Sequence, residues 1–112
     1  MCLFCKIAKK EIPSKVMFED DDLFGFYDIN PAAPTHVLVI PRRHIASLGE
    51  AEPADRELLG RLLLSARRVA EATGIAKTGF RTVLNAGPDA GQSVFHVHMH
   101  VLGGRAMAWP PG

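Results

Sequence analysis

The sequence predicts an α+β domain over residues 1–112: a five-stranded antiparallel sheet, one long helix and a short N-terminal helix. Three observations predict it. Short segments rich in Val and Phe, each bounded by turn residues, recur before residue 41 and after residue 80. One stretch between them carries apolar residues at helical spacing. The length, 112 residues, suits a single core.

Taken in order, the region from Cys2 to Pro41 opens with a short helical turn and continues in strands. Residues 15–19 and 23–28 read as two strands, and the cluster Asp20, Asp21, Asp22 between them as a hairpin turn. Asn30, Pro31 and Pro34 break the chain. Residues 36–40 (HVLVI) form a third strand, stopped by Pro41. Pro53 suits the first turn of a helix and Gly74 its stop. Between them Leu58, Leu59, Leu62, Leu63, Ala66, Val69 and Ala70 recur at spacings of three and four, an amphipathic helix of about five turns. Its polar face mixes both signs of charge, which argues for core packing rather than a membrane surface. Residues 80–85 and 94–102 supply the last two strands, joined by the loop AGPDAGQS.

Composition excludes several classes. Hydrophobic residues make up 47% and charged residues 22%, a globular mix. Thirteen Lys and Arg against twelve Asp and Glu give a net charge of +1. That balance argues against a nucleic-acid-binding protein or a protein of acidic membranes. No apolar run approaches the ~20 residues needed to cross a bilayer. Lys6, Lys9 and Lys10 interrupt what would have to be the apolar part of a secretion signal, so a cytoplasmic protein is expected. The two cysteines, Cys2 and Cys5, are three apart. In a reducing compartment that spacing points to metal or redox chemistry more than to a structural disulfide.

The densest chemical signal is His96-Val97-His98-Met99-His100. Strand side chains alternate between faces, so the three histidines would share one row and Val97, Met99 and Val101 the core side. The plain alternative is a polar row facing solvent. Three alternating imidazoles, out of five histidines in the chain, favour a site. A neutral ring can attack an electrophile while a neighbour stabilises an anion. A three-histidine zinc hydrolase competes with that reading, although a straight strand does not easily converge three rings on one ion. Gly87, Gly91, Gln92 and Ser93, just before the row, offer flexible backbone, amide donors and a hydroxyl suited to a phosphate.

The pattern His-φ-His-φ-His-φ-φ, with φ apolar, resembles the signature of the histidine triad superfamily. FEDDDLFGFYDINPAAPTHVLVIPRRHI, residues 18–45, and FRTVLNAGPDAGQSVFHVHMHVLGGRAMAWPPG, residues 80–112, resemble the two halves of that family. GQSVFHVHMHVLGGR and the terminal WPPG are most similar to its Hint branch, the histidine triad nucleotide-binding proteins. The resemblance implies an α+β homodimer, its sheet extended across the dimer, that binds purine nucleotides and hydrolyses nucleoside 5′-phosphoramidates. It implies that His98 is the nucleophile, passing through a nucleotidyl-histidine. Dinucleoside polyphosphate hydrolysis, or a nucleotide-binding scaffold with little catalysis, are the alternatives.

The same resemblance assigns the other positions. Ser93 would help deliver a proton to the leaving amine. His100 and the backbone near Gly91, Gln92 and Ser93 would donate to phosphate oxygens, with His96 shaping the site. Asn85 would lie beside phosphate and ribose, and Asp28 would accept the ribose hydroxyls. Without the family, Asp28 reads as a cap of its own turn. Ile29, Phe26 and Phe4 would flank the base, although both phenylalanines otherwise read as core. Trp109 would reach toward the partner subunit's site; read alone, it is a docking anchor. Cys2, Cys5, His44 and His96 match a structural zinc set found in bacterial members, and Cys₂His₂ is a common zinc donor set. No other cofactor is implied.

Overall fold

A computed structural model describes residues 2–112. The chain forms helix α1 (Leu3–Ala8), strands β1 (Val16–Glu19), β2 (Leu23–Tyr27) and β3 (Thr35–Pro41), helix α2 (Arg56–Thr73), and strands β4 (Phe80–Val83) and β5 (Met99–Gly103). The five strands make one antiparallel sheet in the order β1-β2-β3-β5-β4. This is the fold class the sequence predicts.

Local chemistry explains the boundaries. Asp20 closes the first hairpin: its Oδ1 accepts from the amides of Asp22 and Leu23 at 2.9 and 2.7 Å. Pro53 opens a short 3₁₀ turn, Pro53–Asp55, and the α-helix follows it directly. Gly74 ends α2 in the left-handed region, φ 83°, and donates its amide to the Ala70 carbonyl.

The sheet has two different faces. On one, α2 lays Leu62, Ala66, Val69 and Ala70 over Val37, Val39, Met99 and Val101. Truncating a fully buried leucine such as Leu62 would cost about 2–5 kcal/mol through lost transfer energy and a cavity. Leu63, placed on the apolar stripe by spacing, instead stands 54% exposed beside the exposed Leu64. On the other face, α1 sets Phe4, Ile7 and Ala8 against Phe24, Phe26, Leu38 and Ile40. That second cluster covers only part of its face, and the histidines occupy the remainder.

The last strand is shorter than residues 94–102. Only Met99–Gly103 pairs with β3 and β4. Two features end the ladder. Strand β4 stops at Val83, opposite His100. On the other side Pro41 lacks an N–H, and its carbonyl is taken by the His96 ring. The Val97 amide donates instead to the Ile45 carbonyl at 2.7 Å. The three histidines therefore do not share one straight row. His98 and His100 remain neighbours, while His96 turns toward the N-terminus.

Candidate functional site

Strands β3 and β5 bring two histidines together. His36 pairs with Leu102 and Leu38 with His100, so His36 and His100 are diagonal neighbours on one face. His36 Nε2 and His100 Nδ1 lie 2.8 Å apart, and their ring centroids 5.1 Å apart. The protonation pattern follows from the backbone. The Ala32 amide donates to His36 Nδ1 at 3.0 Å, so that nitrogen carries a lone pair. The proton of neutral His36 is then on Nε2 and is donated to His100 Nδ1. His100 in turn must carry its own proton on Nε2.

His98 is fixed in the opposite sense. Its Nδ1 lies 2.7 Å from the His96 carbonyl, which can only accept. Nδ1 is therefore the protonated nitrogen, and Nε2 presents a bare lone pair. Phe4 packs edge-on against the ring, with centroids 5.1 Å apart, and holds its plane. The His98 and His100 centroids are also 5.1 Å apart. The pair thus sets an unprotonated nitrogen beside an N–H donor.

Burial keeps the supporting rings neutral. It pushes the His100 pKa down to about 4, helped by the neighbouring His98 and His36 and opposed by Asp28. Burial also lowers His36, again opposed by Asp28. Neither ring is a cation at neutral pH, so both act through hydrogen bonds.

The remaining expected residues are distributed unevenly. Asp28 serves two ends: Oδ1 caps its own turn through the Asn30 amide at 2.8 Å, and Oδ2 faces His36 Nε2 at 3.5 Å. Gln92 is turned inward. Its Oε1 accepts from the Gly87 amide, and its Nε2 donates to the carbonyls of Ala46 and Val94. The Gln92 and Gly91 amides donate to Gly87 and Pro88, so neither remains for a phosphate. The exposed Ser93 amide donates to no backbone carbonyl among the described residues, and Asn85 is half-buried. Phe4 and Phe26 are core residues, their ring centroids 5.6 Å apart, and not walls of an open slot. Ile29, 90% exposed, is left as the apolar surface beside Asp28. Trp109 is 81% exposed in the C-terminal segment, where Arg81 holds the Ala108 carbonyl at 3.0 Å.

The sequence reading missed His36. It stands at the start of a strand otherwise read as core. Its role depends on the diagonal register with His100, which pairs residues 64 apart.

A second cluster lies behind the first. His96 is fully buried, and its Nε2 donates to the Pro41 carbonyl at 2.8 Å, which leaves Nδ1 with a lone pair. That nitrogen lies 3.3 Å from Cys2 Sγ, 3.5 Å from Cys5 Sγ and 3.1 Å from His44 Nδ1; His44 Nδ1 lies 3.5 Å from Cys5 Sγ. Zinc bonds of about 2.0 Å to nitrogen and 2.3 Å to sulfur give tetrahedral edges of about 3.3 Å (N–N) and 3.5 Å (N–S). The four residues fit a tetrahedral ion on these distances. Burial and the adjacent Cys2 thiol push the Cys5 thiol above its ordinary value, against the opposing pull of the Lys9 charge. The His96 bond to Pro41 is the outer-shell contact that orients a metal-binding imidazole.

Asp28, His36 and His100 also lie close enough to suggest a metal triad. Their protonation argues otherwise. With Ala32 donating to Nδ1, His36 can offer Nε2 to an ion only as an imidazolate. Of these two clusters among the described residues, the sulfur-containing one sets its four donor atoms around a common centre.

The HIT domain model matches residues 9–107. The chain belongs to the HIT family. A 14 kDa zinc-binding protein of Zea mays is 51% identical, over 98% of this chain and 87% of its own length. Adenylylsulfatase HINT1 of Arabidopsis thaliana is also 51% identical, over 98% of this chain and 76% of its own length. The crystal structure of a HIT family hydrolase from Legionella pneumophila Philadelphia 1 superposes with a TM-score of 0.98 at 50% identity, with both chains covered in full. A histidine triad protein from Clostridium difficile gives a TM-score of 0.93 at 40% identity, over 96% of this chain and 93% of that one.

Proposed function

We propose that this HIT protein is a hydrolase of purine nucleoside 5′-phosphoramidates that works through a nucleotidyl-histidine on His98. The carrying observation is the fixed protonation of the two adjacent rings: a lone pair on His98 Nε2 and a proton on His100 Nε2. A nucleophile beside a donor is what displacement at phosphorus requires.

In this reading His98 Nε2 attacks the α-phosphorus. The P–N bond breaks, and the amine leaves with a proton delivered through the Ser93 hydroxyl. The His100 Nε2–H and the Ser93 amide donate to phosphate oxygens, with Asn85 beside them. Asp28 Oδ2 receives the ribose hydroxyls, and Ile29 packs on the purine. Water then attacks the same phosphorus, releases the nucleoside monophosphate and frees His98. His36 acts through His100, as its hydrogen-bond donor. His96 shapes the site and reacts with nothing, since both of its nitrogens are engaged.

We further infer a structural zinc on Cys2, Cys5, His44 and His96, supported by the donor distances and by the name of the maize relative. Its role is to tie the N-terminus to the chain after β3; no chemical step passes through it. A homodimer is supported by the uncovered edge strand β4, with exposed Phe80, and by exposed Leu63 on α2. Trp109 would then lie toward the partner's site. Free thiols in a CxxC pair suit the cytoplasm.

The Arabidopsis relative is called an adenylylsulfatase, which favours adenylyl sulfate as a second substrate type. The test is incubation of purified protein with adenosine 5′-phosphoramidate, adenylyl sulfate and diadenosine polyphosphate, following AMP release beside a His98→Ala control. Release from the phosphoramidate by the wild type alone is expected. Preference for the dinucleotide would reassign the substrate. No release from any of the three would leave a nucleotide-binding role.

A further inference from the structure

We infer that Arg105 is a positioning residue for the reaction, acting through the backbone of Ala32, whose carbonyl it holds and whose amide meets His36, to fix the protonation of His36 and, through it, of His100. The inference rests on the phosphoramidase reading for its kinetic consequence but not for its structural one. Arg105 lies just beyond β5, outside the histidine motif.

Arg105 donates twice to one acceptor. Its Nη2 lies 3.0 Å and its Nε 3.3 Å from the Ala32 carbonyl, a forked contact that a point charge could not reproduce. Its Nη1 donates to the Ala106 carbonyl at 3.1 Å, which fixes the direction of the fork. The same tail packs tightly one residue earlier. Gly104 has φ 92°, and a Cβ there would come within 2.9 Å of Pro34 Cβ. The segment between β2 and β3 is thereby clamped from the C-terminal side at both Ala32 and Pro34.

The other end of Ala32 sets the imidazole. Its amide donates to His36 Nδ1 at 3.0 Å, and this is the contact that forces the His36 proton onto Nε2. His36 Nε2 then donates to His100 Nδ1 at 2.8 Å. Within its own strand His36 has nothing that selects a tautomer. Asp28 Oδ2, at 3.5 Å, is too far for a strong bond. Four groups are therefore in series: the Arg105 guanidinium, the backbone of Ala32 on both sides of its Cα, His36 and His100. Loosening the first lets the Ala32 amide turn away. His36 can then carry its proton on Nδ1, and Nε2 would meet His100 Nδ1 lone pair to lone pair unless His100 also changed tautomer. A His100 with its proton on Nδ1 has no N–H to offer a phosphate oxygen.

The experiment uses the whole 112-residue chain, purified without chelator, with ¹⁵N-labelled histidine, so that ring nitrogen shifts report each tautomer directly. In the wild type, His36 and His100 should each show Nε2–H alone. In Arg105→Met, which keeps the apolar stem but no donor, both should become mixtures. Its kcat should fall by about tenfold, part of the ~10²–10⁴ that a positioned proton donor supplies, with KM changed by less than about twofold. Arg105→Lys, with one donor, should lie between. Ala32→Pro, which deletes the amide itself, should mix the tautomers without touching Arg105. A single Nε2–H tautomer in both Arg105→Met and Ala32→Pro overturns the inference. So does a fall in kcat with tautomers unchanged, or mixed tautomers at full kcat. Should Arg105→Met fail to fold, Arg105→Lys and Ala32→Pro are read by the same spectra. The spectra need no substrate. A wild type inert toward phosphoramidate would sink the enzymatic reading and leave the link from Arg105 to His36 to be decided on the shifts.

Discussion

The His96 carbonyl receives the Nδ1–H of His98 at 2.7 Å, while the ring of the same His96 stands among two cysteines and a second histidine. One residue thus belongs to both clusters. Its backbone orients the His98 ring, and its side chain is held from behind. Whatever fixes His96 therefore fixes the lone pair on His98 Nε2.

Metal removal should consequently be felt in two places. Protein purified without chelator should hold about one zinc per chain, the number one tetrahedral Cys₂His₂ site takes. Cys5→Ser should reduce that content sharply. With free zinc about 100-fold above its Kd, the lost stabilisation is about 3 kcal/mol. Calorimetry and elemental analysis of reduced, untagged protein check both. Phosphoramidate turnover should fall as well, through the loosened His96 carbonyl. Full zinc content in Cys5→Ser would remove that cysteine from the ligand set.

The His36 to His100 bond makes a separate prediction. His36→Ala removes the donor on His100 Nδ1 and leaves a cavity beside a half-buried ring. Turnover should fall by about 10²-fold, within the range for losing a proton's correct placement. His36→Gln retains an N–H and should recover part of the loss. Equal losses in the two variants would show that packing, not the donated proton, is what His36 supplies.

Stability should also depend on the protonation of His100. Its pKa falls to about 4 in the folded chain, from an ordinary 6.5. Between those values the unfolded chain binds the proton more readily, so stability is full above about pH 6.5 and declines as the pH drops toward 4. His36, lowered by burial, pulls in the same direction. Urea unfolding of the wild type and of His100→Gln at pH 7 and pH 5 separates this from acid loss of zinc, which both proteins share. The wild type should lose more stability across that interval. A parallel loss in the two would contradict a depressed His100.

Much of this was legible in the sequence where the cause is local. The Asp20 turn, the Gly74 stop and the alternation around Val37 and Val39 act over a few residues, and the elements they bound agree with their expected limits closely. What escaped depends on distant partners. The last strand is short because Pro41, far away in sequence, has no N–H to give. Leu63 fits the helical period yet faces outward, because helical spacing shows a stripe's position and not its width. Of the candidate site, His98, His100 and the Cys₂His₂ set were readable from motif and resemblance. His36 was hidden inside an ordinary-looking strand, since only the register with β5 brings it to His100.

Gln92 is the residue whose role changes most, from a donor to phosphate into a clamp. Its side-chain amide joins three parts of the chain: Gly87 at the start of the loop, Val94 at its end, and Ala46 beyond β3. The loop has two glycines in the left-handed region, Gly87 at φ 85° and Gly91 at φ 79°, so its own backbone does little to hold it. Gln92→Ala should cost about 1–3 kcal/mol, because three part-buried backbone groups, on Gly87, Ala46 and Val94, lose their bonds to it. Gln92→Glu should do no better. A carboxylate can accept from Gly87 but cannot donate to Ala46 or Val94, and it would bring a charge into a buried position. Both variants should lower kcat with Ser93 displaced from its place before the histidines. Nucleotide affinity should change less, because the Gln92 amide and side chain are already engaged inside the protein. Titration with AMP beside steady-state kinetics checks this; a variant that lost affinity while retaining kcat would return Gln92 to the ligand.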